Sequence, residues 1–438
     1  MKYFGTDGIR SKAEMFTPEF LAKIIKGLIN YAGDGIKVLI GGDTRESTEW
    51  ILQDLSKALE TFGIEYDNVG VLPTPAINYC FYQMGYDFAI DVTASHNPYT
   101  DNGIKIFERS ANSGQKLSEH ACEIIEQAID EAQIPELISL TIHDDLHKDA
   151  IDLYKEHLLT YLGSTNLTKL HLGMDCANGA TSVINKIIFE QLGAKVELIN
   201  TDANYGQSIN KDCGSTHLEQ LAELVKSENL NFGIAYDGDG DRCLMIDNEG
   251  QEIDGDQIIA ILANYLQLDA IAITVMANQG LLNWAKDNSV HAEITAVGDS
   301  NVAEAMRTHA IKIGGEQSGH IILPGEPTGD GILTSLMVAK IASATGKSLH
   351  ELASVMAKFP QVIVNLDAAP EQKQALKEDP EAKKLLLDYD EKLKSVDGRL
   401  LVRPSGTEPL IRITMWGNNK SEIAKLANEL KAKLGEIL

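Results

Sequence analysis

Three aspartates alternate with glycine in Asp237-Gly238-Asp239-Gly240-Asp241. Glycine tolerates the tight backbone angles that let three carboxylates converge on one point. Acids so close repel one another unless a cation lies between them, and hard oxygen ligands select Mg²⁺ or Ca²⁺. An EF-hand is excluded, because its sixth position would be Arg242 and its twelfth Asn248. Mg²⁺ keeps positions for phosphate oxygens, so such an ion asks for a phosphate partner. A solvated acidic turn is the plain alternative. The stretch Thr93-Ala94-Ser95-His96-Asn97-Pro98 offers a partner, and Asn102-Gly103-Ile104-Lys105-Ile106-Phe107 follows it. A serine, a histidine and a lysine brought together by a hairpin suit a phosphoryl carrier; read alone, the stretch is equally a polar turn with a surface serine.

Other stretches add donors. Arg403-Pro404-Ser405-Gly406-Thr407 supplies a guanidinium fork, two hydroxyls and a glycine on which an anion could close. A salt-bridged turn fits it as well. Gly315-Glu316-Gln317-Ser318-Gly319-His320 carries acceptors and donors of the kind sugar hydroxyls need, and His320 is otherwise a structural histidine at a strand start. Arg10 and Lys105 would neutralise charge on a transferring phosphoryl group, or are ordinary surface cations. Gly346-Lys347-Ser348 is no P-loop, since Ile341 stands where the earlier glycine belongs.

The elements that must hold these residues follow from the apolar pattern. Phe88-Ala89-Ile90-Asp91-Val92 reads as a buried strand, so Ser95 falls at its carboxyl end, where open α/β sheets place their chemistry. Phe232-Gly233-Ile234-Ala235 enters the aspartate turn and Cys243-Leu244-Met245-Ile246 leaves it; Ile311-Lys312-Ile313 reads as the strand entering the Glu316 loop and Ile321-Ile322-Leu323 as the one leaving. Each of these strand–loop–strand pieces ends a lap of strand, turn, helix and strand, and the lap recurs three times. Thr17 before Pro18-Glu19 is placed as a helix N-cap, and a helix is expected from Ala150. A last unit begins near Phe359-Pro360 and closes with an amphipathic helix from Lys420 to Leu438. The fold class is therefore α/β, with three α/β domains of shared topology at 1–144, 145–248 and 249–358 and a smaller α+β domain at 359–438.

Composition narrows the function. A chain of 438 residues with 44% hydrophobic content fills several cores. A net charge of −26 excludes a general nucleic-acid binder, yet leaves room for a small anion in a local basic pocket. Five cysteines without a C-x-x-C pair read as buried thiols in a reducing compartment. Met1-Lys2-Tyr3-Phe4-Gly5-Thr6 is not a signal peptide and no apolar run is long enough for a bilayer, so a cytoplasmic protein is expected, as monomer or homodimer.

Together, Gly5-Thr6-Asp7-Gly8-Ile9-Arg10, Ala94-Ser95-His96-Asn97-Pro98, Asp101-Asn102-Gly103-Ile104-Lys105, Asp237 to Arg242, Gly315 to His320 and Arg403 to Pro409 resemble, in order, the α-D-phosphohexomutase superfamily. That resemblance implies four domains around a central cleft. It implies Ser95 carried as phosphoserine, and Mg²⁺ held by Asp237, Asp239, Asp241 and the Ser95 phosphate. It implies Arg242, Glu316 and Ser318 on the sugar phosphate, Arg10 in charge neutralisation, Lys105 and His320 as candidate acid/base groups, and Arg403, Ser405, Gly406 and Thr407 on the phosphate not being transferred. Gln317, where methionine is the variant elsewhere, and Val297-Gly298-Asp299 point to the glucosamine branch. The implied reaction converts glucosamine 6-phosphate and glucosamine 1-phosphate through a sugar 1,6-bisphosphate, feeding UDP-N-acetylglucosamine and cell-wall precursor synthesis. Mannose or glucose phosphates with the same machinery, or a non-catalytic sugar-phosphate sensor, are the alternatives. Ser11 stands where glycine is usual, and Ser300-Asn301 replaces the usual Arg-Tyr, a departure that bears on sugar selectivity.

Overall fold

A computed structural model describes residues 1–111, 113–139, 146–405 and 409–438. Its four sheets have seven, five, four and three strands. The first three are variations on one wiring. In the first, Lys37–Gly42 runs parallel to both Glu65–Val71 and Phe88–Val92, and Phe88–Val92 then pairs antiparallel with Asp101–Arg109. His171–Asp175 stands in the same relation to Lys195–Ile199 and Phe232–Tyr236, which turns back into Cys243–Ile246. Ala270–Thr274 repeats it with His291–Thr295 and Gly314–Gly315, which turns back into Ile321–Ile322. The Ser95, Asp237 and Glu316 loops are thus the same loop of three related units, each at the carboxyl end of a parallel strand.

The strand that enters the third loop is shorter than its sequence implies. Ile311-Lys312-Ile313 is not a strand; ladder pairing starts at Gly314. Ile313 is nonetheless fully buried, and its carbonyl accepts the Ala272 N–H at 3.0 Å, so its apolar character records core packing at the mouth of the strand. The helix expected from Ala150 begins at His147. Thr17 caps its helix as expected, accepting the Phe20 N–H at 3.2 Å. All five cysteines are buried and free.

One apolar cluster runs through the three α/β units, from Leu39 and Phe81 through Met174 and Phe232 to Leu336 and Met356. The last unit keeps its own core, in which Ile411, Ile413 and Met415 meet Ile423, Leu430 and Leu434 of the helix Lys420–Ile437. Its three-stranded antiparallel sheet is joined to the third unit at a pinned crossing. Asn278 Nδ2 donates to the Phe359 carbonyl and its Oδ1 accepts the Phe359 N–H, both at 2.9 Å. Among the described residues, no helix is long and apolar enough to cross a membrane.

Candidate active site

The Ser95 loop is held from below by a buried arginine. Arg45 donates to the main-chain carbonyls of Ser95 and Pro98 at 2.7 Å and of Asp101 at 3.1 Å. Its Nε donates to Asp43 at 2.9 Å, and Thr93, which accepts the Ser95 N–H at 2.9 Å, donates its hydroxyl to the same carboxylate. Buried carbonyls that no ladder serves find their donors here. Ser95 itself has φ of +53°, a left-handed conformation that a side-chain-bearing residue keeps only when its surroundings enforce it. The turn lifts its hydroxyl toward the second unit, where Ser95 Oγ donates to Asp237 Oδ2 at 2.6 Å. Beside it, His96 Nδ1 accepts from Arg242 at 3.0 Å. Burial, with Arg242 and Arg10 close by, pushes this imidazole down to about 4, so it is neutral at pH 7.

Carboxylate oxygens of Asp237, Asp239 and Asp241 lie within 4.8 Å of one another, all buried. A methyl group on Gly238 would come 2.7 Å from the Ser95 carbonyl oxygen, so only glycine lets the two loops meet. Burial and the charges of Asp239 and Asp241 push the Asp237 carboxyl well up. Burial also opposes ionisation of Asp241, but Lys105, His320 and Arg242 outweigh it and hold that carboxyl well below the usual range. Lys105 supplies most of the compensation: its ammonium donates to Asp239 Oδ2 at 2.7 Å and Asp241 Oδ2 at 3.0 Å, and lies 3.3 Å from Asp7. The facing oxygens, Asp239 Oδ1 and Asp241 Oδ1, are buried with no hydrogen-bond partner. Unserved acceptors on convergent carboxylates are the donor set a hard divalent cation takes, so these residues fit Mg²⁺.

Several residues with no role assigned from sequence complete the cluster. Asp7 bonds to Arg10 and Lys116, and Lys116 reaches across to Asp299 of the third unit. In sequence these are isolated charges; only pairing of Gly114–Lys116 with the end of Asp101–Arg109 brings Lys116 to Asp7. Asp7 does sit in a glycine-punctuated turn, the one signal available beforehand.

The sugar-facing candidates divide. Glu316 Oε1 accepts the Gly298 N–H at 3.2 Å, whereas Ser318 is exposed beside a cavity of about 760 Å³ that also touches Asp254, Gln317 and Phe359 at the crossing to the last unit. His320 is 3% exposed, with Nδ1 3.6 Å from Asp241. Its Nε2 lies 3.1 Å from the Gly329 nitrogen and 3.6 Å from Asp299; burial opposes charging the ring, while Asp241 and Asp299 push its pKa up. The ring thus stands between carboxylates of the second and third units, one 3.6 Å from each nitrogen. Arg403 lies on the separate last sheet, where it is the cross-strand neighbour of Arg412, and Ser405 follows just past the end of its strand Arg399–Pro404. Burial and the second guanidinium push Arg403 down, and its Nε is buried without a partner. Like charges set side by side in a ladder favour an anion between them. Gly406 and Thr407 lie outside the described residues. Among the described residues, none of the last unit bonds to Ser95, Lys105 or the three aspartates.

The architecture is that of a multidomain α/β protein whose repeated units turn equivalent polar loops toward one another. The chain matches four family models: phosphoglucomutase/phosphomannomutase alpha/beta/alpha domain I over residues 1–135, domain II over 152–250, domain III over 254–359, and the C-terminal domain over 346–433. It is 40% identical to the phosphoglucosamine mutase of Caldicellulosiruptor saccharolyticus, covering 98% of each chain. It is 39% identical to that of Clostridioides difficile, covering 100% of this chain and 99% of the relative. Among solved structures, a phosphoglucomutase/phosphomannomutase family protein from Burkholderia thailandensis superposes with a TM-score of 0.78 at 21% identity, covering 98% of this chain and 96% of that one. Aspergillus fumigatus N-acetylphosphoglucosamine mutase, in complex with GlcNAc-6P and magnesium, does so with 0.66 at 18% identity, over 93% and 85%. The chain belongs to the phosphoglucomutase/phosphomannomutase family.

Proposed function

We propose that this protein interconverts glucosamine 6-phosphate and glucosamine 1-phosphate as an intramolecular phosphotransferase, with Ser95 as the phosphoryl carrier. The observation that carries the proposal is the 2.6 Å bond from Ser95 Oγ to Asp237, which joins the hydroxyl of one unit to the acid triad of another. Support for the amino sugar comes from full-length relatives that bear the phosphoglucosamine mutase name.

Asp237, Asp239 and Asp241, with an oxygen of phosphorylated Ser95, would hold Mg²⁺. Bound there, the ion supplies positive charge to the phosphoryl oxygens. The chain's own groups do the rest. Lys105 is kept an ammonium by the carboxylates around it and adds fixed charge at the transfer site, as does Arg10. Arg242, Glu316 and Ser318 bind the sugar phosphate, while His320 holds Asp241 in place. In the forward direction the bond from phosphorus to Ser95 Oγ breaks as the bond to O1 of glucosamine 6-phosphate forms, the O1 proton being lost and Ser95 Oγ regaining one, which gives the 1,6-bisphosphate. That intermediate turns over, and the bond from phosphorus to O6 breaks as Ser95 Oγ takes the 6-phosphoryl group, the Ser95 proton being lost and O6 regaining one, which leaves glucosamine 1-phosphate. Positioning and charge carry such transfers more than covalent help does. Arg403, Ser405, Gly406 and Thr407 hold the idle phosphate at either end, a task suited to a unit with its own core.

Ser95→Ala should abolish turnover while glucosamine 6-phosphate still binds by calorimetry. Full turnover in that variant would exclude the scheme. Comparison of kcat/KM on glucosamine, mannose and glucose phosphates decides the substrate.

A further inference from the structure

Ser95's main chain is gripped from a second direction, by a residue of the second unit. Asn210 Nδ2 donates to the Ser95 carbonyl at 2.8 Å and to the Asn97 carbonyl at 3.1 Å. With Arg45 at 2.7 Å from the opposite side, the Ser95 carbonyl has two strong donors, which is its full acceptor capacity. Asn210 belongs to a segment that crosses the seam between the units. Gly206 N–H donates to the Thr44 carbonyl at 2.7 Å, Glu46 N–H to the Gly206 carbonyl at 3.2 Å, and Gln207 to Glu46 at 2.7 Å. The same segment is anchored on the metal side, where Asn210 N–H donates to the Ala177 carbonyl at 2.9 Å.

The residue type fits two demands at once. Asn210 has φ of +58°, which asparagine adopts more readily than most residues, and the position needs an uncharged side chain with two N–H donors. Leucine or alanine would meet neither demand, aspartate only the first, glutamine only the second. The held serine is itself left-handed, so its hydroxyl points at Asp237 only while its carbonyl is kept turned toward these donors.

We infer that Asn210 is a positioning residue for phosphoryl transfer, which acts through the Ser95 carbonyl and, with Arg45, sets the aim of the Ser95 hydroxyl. This rests on Ser95 being the phosphoryl carrier. Because the grip comes from the second unit, the serine is aimed only where the first two units are seated together. Nothing in Asn210 needs to touch substrate for this.

The test uses Asn210→Gly, which keeps the left-handed backbone and removes the donors without adding charge, and Asn210→Asp, which keeps the shape and removes the donors. Dephosphorylated full-length protein is mixed with glucose 1,6-bisphosphate, and Ser95 loading is followed by intact mass against time. Both variants should load about 10²-fold more slowly, as expected when a reacting atom is misplaced by a fraction of its contact distance, and kcat should fall with KM within about twofold. Final occupancy should still reach one phosphoryl group per chain, which a partly unfolded population would not do. Wild-type loading rates in Asn210→Gly would overturn the inference, as would slow loading confined to Asn210→Asp, since that would assign the effect to charge. Reduced final occupancy in both would overturn it in favour of a purely structural role. If the wild type itself takes no phosphoryl group on Ser95, the carrier reading falls instead.

Discussion

Lys105→Met isolates the charge balance on which the acid cluster depends. Methionine matches the length of the lysine stem and removes only the ammonium, which lies 2.7 Å from Asp239, 3.0 Å from Asp241 and 3.3 Å from Asp7. Removing one partner of a buried ion pair costs about 3–5 kcal/mol, because the carboxylates left behind keep their desolvation penalty. With an unfolding entropy of about 2.1 cal/mol/K per residue summed over three α/β units melting together, ~4 kcal/mol lowers Tm by about 5 °C. That figure applies in EDTA. A divalent cation neutralises the same carboxylates, and it meets less repulsion once the ammonium is gone. A tenfold gain in affinity is worth ~1.4 kcal/mol at saturating metal, so MgCl₂ should raise the Tm of the variant by about 2 °C more than it raises that of the wild type. Differential scanning calorimetry in EDTA and across a MgCl₂ titration reads both numbers. An unchanged Tm in EDTA, or an equal metal-induced rise in the two proteins, refutes the assignment of Lys105 as the compensating charge.

Two further perturbations probe the serine side. A methyl group at Gly238→Ala would meet the Ser95 carbonyl at 2.7 Å, Ile209 Cδ1 at 2.7 Å and Asn210 Nδ2 at 2.9 Å. The variant should lose about 1–3 kcal/mol to overpacking and at least about 10²-fold in kcat, and wild-type turnover would show that the two loops need not meet. His96 is pushed down to about 4 from an unfolded value near 6.5, so between those values the unfolded chain binds more protons and stability falls as pH falls. That loss amounts to about 3 kcal/mol and is complete below pH 4. His96→Asn should therefore show a smaller drop in Tm between pH 7 and pH 4.5 than the wild type, and parallel drops would exclude a neutral buried imidazole.

Much of this site could be read before folding was considered, and the reason is local. Ser95, the three aspartates and Glu316 sit just past apolar runs, in polar stretches that carry a glycine or a proline, so strand ends and polar loops announce themselves together. The repeat of the lap adds that the three loops are equivalents, and the sheets bear this out in their pairing. Arg45, Lys116 and Asn210 gave no such sign. Each is a lone polar residue whose partners lie in another strand or another unit, and single charges in a sequence look like surface charges wherever they fall. Ile311-Lys312-Ile313 misled for the converse reason: burial in the core and membership of a sheet leave the same apolar mark. The setting of His320 between Asp241 and Asp299 was beyond reach altogether, since both carboxylates come from distant stretches of the chain.

The inventory of the ion-paired cluster explains why several units must meet to make it. The first unit brings Arg10, Lys105 and Lys116 against a single carboxylate, Asp7; the second brings three carboxylates and Arg242; the third adds Asp299. Taken separately, the first unit would present an uncompensated positive face and the second an uncompensated negative one, each costly to bury. Docked, four cations face five carboxylates, of which Asp237 is pushed toward its protonated form by burial and by Asp239 and Asp241, while His320 stands 3.6 Å from both Asp241 and Asp299 as a further partner. A divalent cation in the triad would favour the ionised form of Asp237 and add positive charge where the Ser95 hydroxyl points. A doubly charged phosphoryl group would then be attracted on arrival.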